Sequence, residues 1–191
     1  MSSAWKMVAQ DGSAIADSID DMVRLYADVY SEPPYNSGSL WKRDAFISRT
    51  ERQSKRPGFS MVLARTEEDE KLVGYAFGLP FDRGQWWSGD ASKPPPEILA
   101  ASKFALIELI VDVRWRNRGI GHRLHDRILR DRTEAYAMLT ALPEAPARNH
   151  YEQWGWRQIG VAQHTPDSPQ LHSLILSLNP RGYGASGHCI Y

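Results

Sequence analysis

The 191-residue sequence contains a single cysteine, Cys189, in a glycine-rich tail. An internal disulfide framework is therefore excluded, and the composition suits a reducing compartment. Net charge is missing too: 23 lysines and arginines balance 23 aspartates and glutamates. No global basic field exists to hold a polyanion, so the arginines of the segment Arg123, Arg127, Arg130 and Arg132 make only a weak case for nucleic acid. No apolar run is long enough to span a bilayer, and the first residues lack the basic-then-apolar pattern of a secretory leader. These absences predict a cytoplasmic protein, monomer or homodimer, with neither membrane nor nucleic acid as partner. The six histidines show no H-x-x-x-H or paired Cys/His spacing, so no metal site is expected. A G-x-S-x-G nucleophile elbow is absent as well.

What is present is enough chain for one domain with a substantial core, at an ordinary 42% hydrophobic content. The informative stretch runs from Ala105 to Leu129. Ala105 to Val113 reads as a buried strand, an apolar run interrupted only by Glu108 and Asp112. Arg116-Asn117-Arg118-Gly119-Ile120-Gly121 follows as a tight turn. Leu124, Ile128 and Leu129 then recur at helical spacing. Glycines at a helix start let the backbone approach a ligand, and the first N–H groups of the helix lack partners and carry the positive end of its dipole. With arginines beside it, such a turn is a phosphate cradle. It is neither of the two commonest ones: no Gly-Lys-Ser/Thr ending is present, and the third glycine of the dinucleotide fingerprint is missing.

The spacing Arg116-x-x-Gly119-x-Gly121 after a Val-Asp-Val strand end resembles the acetyl-CoA signature of the GNAT superfamily of N-acetyltransferases. The resemblance implies that Arg116, Asn117, Arg118, Gly119, Ile120, Gly121 and His122 surround the pyrophosphate of coenzyme A. It also implies that the preceding strand splays from its neighbour and offers the backbone of Leu109, Ile110 and Val111 to the pantetheine arm. A second segment, Ala147-Arg148-Asn149-His150-Tyr151 through Gly155-Trp156, resembles the family's later signature. There a tyrosine lies near the thioester sulfur, which falls here on Tyr151. Where most members carry an Asn three residues before the Ala, this chain has Glu144, and Asn149 is the candidate to replace that polar contact.

The chemistry suits those residues. A neutral amine attacks a thioester, and the sulfur leaves as thiolate unless a group protonates it. A phenol with a pKa near 10 is a serviceable donor at neutral pH. Glu108 is the candidate base, because a carboxylate in an apolar strand has its pKa raised by burial. Alternation puts Glu108, Ile110 and Asp112 on one face and Leu109, Val111 and Val113 on the other. Two other readings stand beside it: a structural carboxylate, or a water chain that takes the proton instead.

Elsewhere, Trp5 to Ala9 reads as a strand. Ala14 to Tyr30 reads as a helix capped by Ser13, with a stripe of Ile15, Ile19, Met22, Val23, Tyr26 and Val29. After a proline-rich break, Trp41 to Gln53 reads as a second helix with Trp41, Ala45 and Phe46 inward. By resemblance, Glu32, Tyr35 and Asn36 in the break face an acceptor; the plain alternative is a solvated loop. Phe59 to Thr66 and Lys71 to Pro80 read as a hairpin around the acidic turn 67–70, and Gly74 and Gly78 suggest a bulge or a close approach. The loop 81–98 carries Trp86 and Trp87, adjacent tryptophans that need a cover, and reads as a lid over the acceptor or a dimer contact. Ala137 to Thr140, Trp156 to Val161 and Leu171 to Leu178 read as strands. Ala147 to Trp154 reads as a helix led in by Pro146 and ended by Gly155.

The expected fold is α/β (α+β). One GNAT-like domain spans residues 1–178, with a mixed, mostly antiparallel sheet of six to seven strands, about four helices and a tail at 179–191. The expected activity is direct transfer of acetyl from acetyl-CoA to a primary amine of a small-molecule or peptide acceptor. The alternative is a non-catalytic coenzyme A-binding sensor with the same fold.

Overall fold

The computed structural model describes residues 4–35 and 42–178. The expectations placed on Asn36, Trp41, Cys189 and the tail 179–191 lie outside those residues. The chain order is β1 (Trp5–Asp11), α1 (Ile15–Tyr30), α2 (Arg43–Ser54), β2 (Ser60–Thr66), β3 (Leu72–Phe81), β4 (Asp90–Ala91), α3 (Pro96–Leu99), β5 (Lys103–Val111), α4 (Ile120–Leu129), β6 (Tyr136–Ala141), α5 (Ala147–Gln153), β7 (Arg157–Gln163) and β8 (Leu171–Ser177). The strands form one sheet in the order β1-β2-β3-β5-β6-β8-β7-β4. Every neighbouring pair is antiparallel except β5 and β6. The mixed sheet is as expected, with eight strands instead of six or seven. The additional strand is β4, two residues long and therefore without periodicity to read.

The central strands β3 and β5 are apolar because both faces of the sheet are covered. One face packs on α4 and α5 through Leu106, Ile120, Leu124, Ile128, Tyr151 and Trp156. The other packs on α1 and α2 through Met22, Tyr26, Phe46, Tyr75, Phe77 and Ile110. The stripe read in α1 is the face that reaches this second core, with Met22, Val23 and Tyr26 fully buried. Two local expectations change. The capping oxygen ahead of α1 comes from Asp11, whose carboxylate accepts from the Ser13 N–H at 2.9 Å, and not from Ser13. In α2, Phe46 points inward as expected but Ala45 is exposed.

Sheet register fixes the site. Phe77 pairs with Glu108, and the next residue of β3, Gly78, pairs with Leu106, so Ile107 is an extra residue in β5. Gly78 is required at this bulge: a Cβ there would lie 2.3 Å from the Ala105 carbonyl oxygen. Ile107 and Glu108 therefore lean to the same face, towards α1 and α2. Leu109 and Val111 face α4.

Candidate active site

The parallel ladder between β5 and β6 is short. Lys103, Phe104 and Ala105 pair with Tyr136, Ala137 and Met138, and beyond that the strands part. The Asp112 N–H donates to Val73 of β3 at 2.9 Å. Because successive residues of a strand alternate their hydrogen-bonding edge, Ile110 also spends its backbone on β3, while Leu109 and Val111 turn theirs toward the gap. The Val111 carbonyl accepts from Arg116 Nε at 3.4 Å on that side. The three-residue segment expected to offer its backbone thus divides. Leu109 and Val111 face the opening, and Ile110 faces the α1 core, 3% exposed.

Helix α4 starts against the same edge. A Cβ on Gly121 would sit 3.7 Å from Val111 and 3.9 Å from Leu109, so the first turn of the helix lies directly on the splayed strand. Asn117 and Gly119 both adopt left-handed backbone, with φ of 60° and 74°. These two residues fold the turn back so that α4 begins at Ile120 with no side chain capping it. Its first N–H groups are left without a side-chain acceptor, the arrangement that binds phosphate. Arg118 stacks on Trp115 at 4.7 Å, and Arg116 is paired with Glu32 at 3.1 Å. His122 is exposed and lies 3.5 Å from Asp126. Asn149 is exposed on α5. The splay, the left-handed turn and the uncapped helix form one continuous strip that fits a phosphate-bearing cofactor with an extended arm. Among the described residues, no group of three His, Cys, Asp or Glu side chains is placed to hold a metal.

At the other end of the splay, a cavity of about 930 Å³ opens between α2, the loop 81–98, β5, β6 and α5. Glu108, Leu109, Tyr35, Trp86, Trp87 and Tyr151 all line it. Tyr151 is 8% exposed and packs edge-on against Trp154 and Trp156. Burial, reinforced by Tyr35 and Glu108, pushes its pKa above the ordinary phenol value, so it remains protonated at neutral pH. Glu108 lies at the cavity floor. One carboxylate oxygen accepts from the Tyr30 hydroxyl at 2.9 Å and the other from Arg49 at 3.0 Å. Burial raises its pKa, while Arg49 and the Tyr30 hydrogen bond pull the other way.

The remaining sequence candidates are distributed as follows. Glu32 does not line the cavity but holds Arg116, bridging the loop after α1 to the phosphate turn. The tryptophan loop is stitched to the sheet. Asp90 and Ala91 pair with Gln163 and Ala162, the Ser92 N–H donates to Val161 at 2.9 Å, and Trp86 Nε1 donates to the Ser92 carbonyl at 3.0 Å. Trp87 packs between Phe81 and His164, at 5.6 and 5.8 Å. The pair forms a half-buried cavity wall, which supplies the cover that adjacent tryptophans need.

Sequence reasoning missed Tyr30, Arg49, Arg52, Arg56 and His164, all of which line this cavity. Tyr30, Arg49, Arg52, Arg56 and His164 belong to no local motif. The available signal was the spacing of Arg49, Arg52 and Arg56, three and four residues apart, which places them on one face of a helix and its exit.

Comparison with known proteins agrees with this architecture. The Acetyltransferase (GNAT) family model matches residues 19–156. A GCN5-like protein acetyltransferase of Mycobacterium tuberculosis is 25% identical over 151 residues, covering 71% of this chain and 73% of the relative. An acetyltransferase of GNAT family from Staphylococcus aureus superposes with a TM-score of 0.63 at 16% identity, over 91% of this chain and 99% of that one. The ribosomal-protein-S18-alanine N-acetyltransferase of Escherichia coli gives 0.60 at 12% identity, over 98% and 99%. The PaiA N-acetyltransferase of Thermoplasma acidophilum, solved in complex with coenzyme A, gives 0.56 at 9% identity, over 92% and 99%. At these identities the solved structures establish the shared fold, and the family model, matched across most of the sequence, establishes more: the chain belongs to the GNAT family of acetyltransferases.

Proposed function

We propose that the protein transfers an acetyl group from acetyl-CoA to a primary amine by direct attack. The observation that carries this reading is the continuity of one strip: the uncapped start of α4, the free edge of Leu109 and Val111, and a cavity bearing Tyr151 and Glu108. A donor with a pyrophosphate at one end and an activated thioester at the other spans such a strip. The N–H groups at 119–122, with Arg116 and Arg118 beside them, hold the pyrophosphate. The outward edge of Leu109 and Val111 holds the arm, and the Val111 N–H polarises the thioester carbonyl.

Holding amine and donor together removes much of the entropic cost of their meeting. Tyr151 donates a proton to the departing sulfur as the new C–N bond forms. The amine proton passes to Glu108 or to water beside it, and Tyr30 and Arg49 keep that carboxylate fixed.

Calorimetric titration of the purified protein with acetyl-CoA and with coenzyme A tests the reading, followed by thiol-release assays across an amine library. Micromolar binding and amine-dependent thiol release are expected. Absence of binding to a folded sample overturns the cradle. Binding without thiol release from any amine would make the protein a coenzyme A-binding module.

A further inference from the structure

The acceptor wall has a sign. Three cationic arginines line the cavity, Arg49, Arg52 and Arg56, and Glu108 is the single carboxylate among the lining residues. Glu108 is already matched by Arg49 at 3.0 Å. Arg52 and Arg56 form no salt bridge among the described residues. Arg56 is held in place by stacking over Phe81 at 5.4 Å and a long hydrogen bond to the Pro80 carbonyl at 3.4 Å. The acids that the nearby sequence could have supplied, Asp82, Asp90 and Glu97, do not line the cavity. A local excess of cations in a chain of zero net charge is not a by-product of composition.

A second observation points to a ligand. The Trp87 indole N–H is buried without a hydrogen-bond partner, and so is the Gln53 amide oxygen, and both residues line this cavity. A buried donor or acceptor left unpaired is costly, so such groups are normally satisfied by whatever occupies the site. An N–H donor and two guanidinium groups are a receptor for an oxyanion; the lone acceptor suits a hydroxyl or ammonium N–H.

We propose that the acceptor is a small amine that also carries an acidic group, a carboxylate or a phosphate. Arg52, Arg56 and the Trp87 N–H hold the acid, and the amine is directed to the β5–β6 splay beside Tyr151. This rests on the acetyl-transfer reading above. It also gives α2 a purpose: Phe46, Thr50 and Ser54 are its buried residues, and its other face sorts substrates by charge.

The test compares ethanolamine, O-phosphoethanolamine and β-alanine as acceptors at saturating acetyl-CoA. Phosphoethanolamine or β-alanine is expected to exceed ethanolamine at least tenfold in kcat/KM, and whichever leads identifies the acid. The double charge reversal Arg52→Glu/Arg56→Glu is expected to abolish that preference through KM, with acetyl-CoA affinity unchanged by calorimetry. Arg52→Lys/Arg56→Lys is expected to restore part of it. If none of the three amines turns over, saturation-transfer NMR of the two acids with the acetyl-CoA-bound protein decides. A saturable signal lost on charge reversal supports the proposal, and no signal overturns it. Equal use of ethanolamine, a preference that survives charge reversal, or a stronger preference for an acidic peptide than for either small acid also overturns it. Loss of acetyl-CoA binding in the unmodified protein would instead strike the acetyl-transfer reading, so the two failures are separable.

Discussion

The proposed chemistry concentrates in one hydroxyl, that of Tyr151. Its ring is fixed by Trp154 and Trp156, the residue lines the cavity, and its hydroxyl forms no hydrogen bond among the described residues. Tyr151→Phe therefore removes little structure, and a stability change under about 1 kcal/mol is expected. Loss of the proton donor is expected to lower kcat about 100-fold, with acetyl-CoA affinity unchanged by calorimetry. Equal losses in rate and affinity would make the residue a binding group. Tyr151 was legible because the segment 147–156 is continuous in sequence. Glu108 was legible as an acid in an apolar strand, but its partners were not. Arg49 and Tyr30 lie 59 and 78 positions away, and only the packing of α1 and α2 on the sheet brings them together. The arginines along the cavity were hidden for the same reason.

At the scale of elements, the passage from β5 to α4 is pinned by Asp112. Its carboxylate accepts from the Arg114 N–H at 2.9 Å and from the Arg114 guanidinium at 3.0 and 2.6 Å. The Arg114 side-chain hydrogen bond is the largest influence holding its pKa below the ordinary 3.8. A carboxylate with a depressed folded pKa contributes stability that is present above the unfolded value and lost as pH falls through the folded one. Asp112→Asn is accordingly expected to cost about 1–2 kcal/mol in urea melts at pH 7, and the difference from the unmodified protein should shrink toward pH 3. Two glycines offer a second comparison. Gly78→Ala drives a Cβ into the Ala105 carbonyl and is expected to cost about 3 kcal/mol. Gly119→Ala meets nothing within 4 Å and carries only the penalty of its positive φ, about 1 kcal/mol. Thermal melts of the two variants would check the order.

Long periodic elements were readable. The stripe of α1 and the apolar run of β5 each encode their burial locally. The strand β4 was not, since Asp90 and Ala91 become a strand only by meeting Gln163 and Ala162. That meeting also settled the tryptophan loop as a wall, which no pattern within residues 81–98 encodes.

Over the whole molecule, one sheet divides two cores. Phe77 is fully buried on the α1–α2 side and Leu124 fully buried on the α4–α5 side. Because β3 and β5 contribute to both, the faces should unfold together. Phe77→Ala and Leu124→Ala are each expected to remove about 3–4 kcal/mol from a single transition that circular dichroism and tryptophan fluorescence report at the same denaturant concentration. Separate transitions would mean that the sheet does not couple its faces. The strip formed by Leu109, Val111 and the start of α4 lies mainly with one core and the arginines of α2 with the other, so damage to either core should reach both halves of the candidate site.

The extra residue in β5 sets a rule of parity. A strand counts in twos, and Ile107 makes the count odd midway along it. Before Ile107, Phe104 and Leu106 face α4; after it, Leu109 and Val111 do. Deleting Ile107 would restore plain alternation without turning its neighbours: Leu106 would still face α4, Glu108 α1, and Leu109 and Val111 α4. A single residue added or removed elsewhere in β5 would exchange the faces beyond it unless a second bulge absorbed it, so the strand can change by one only where Gly78 makes room.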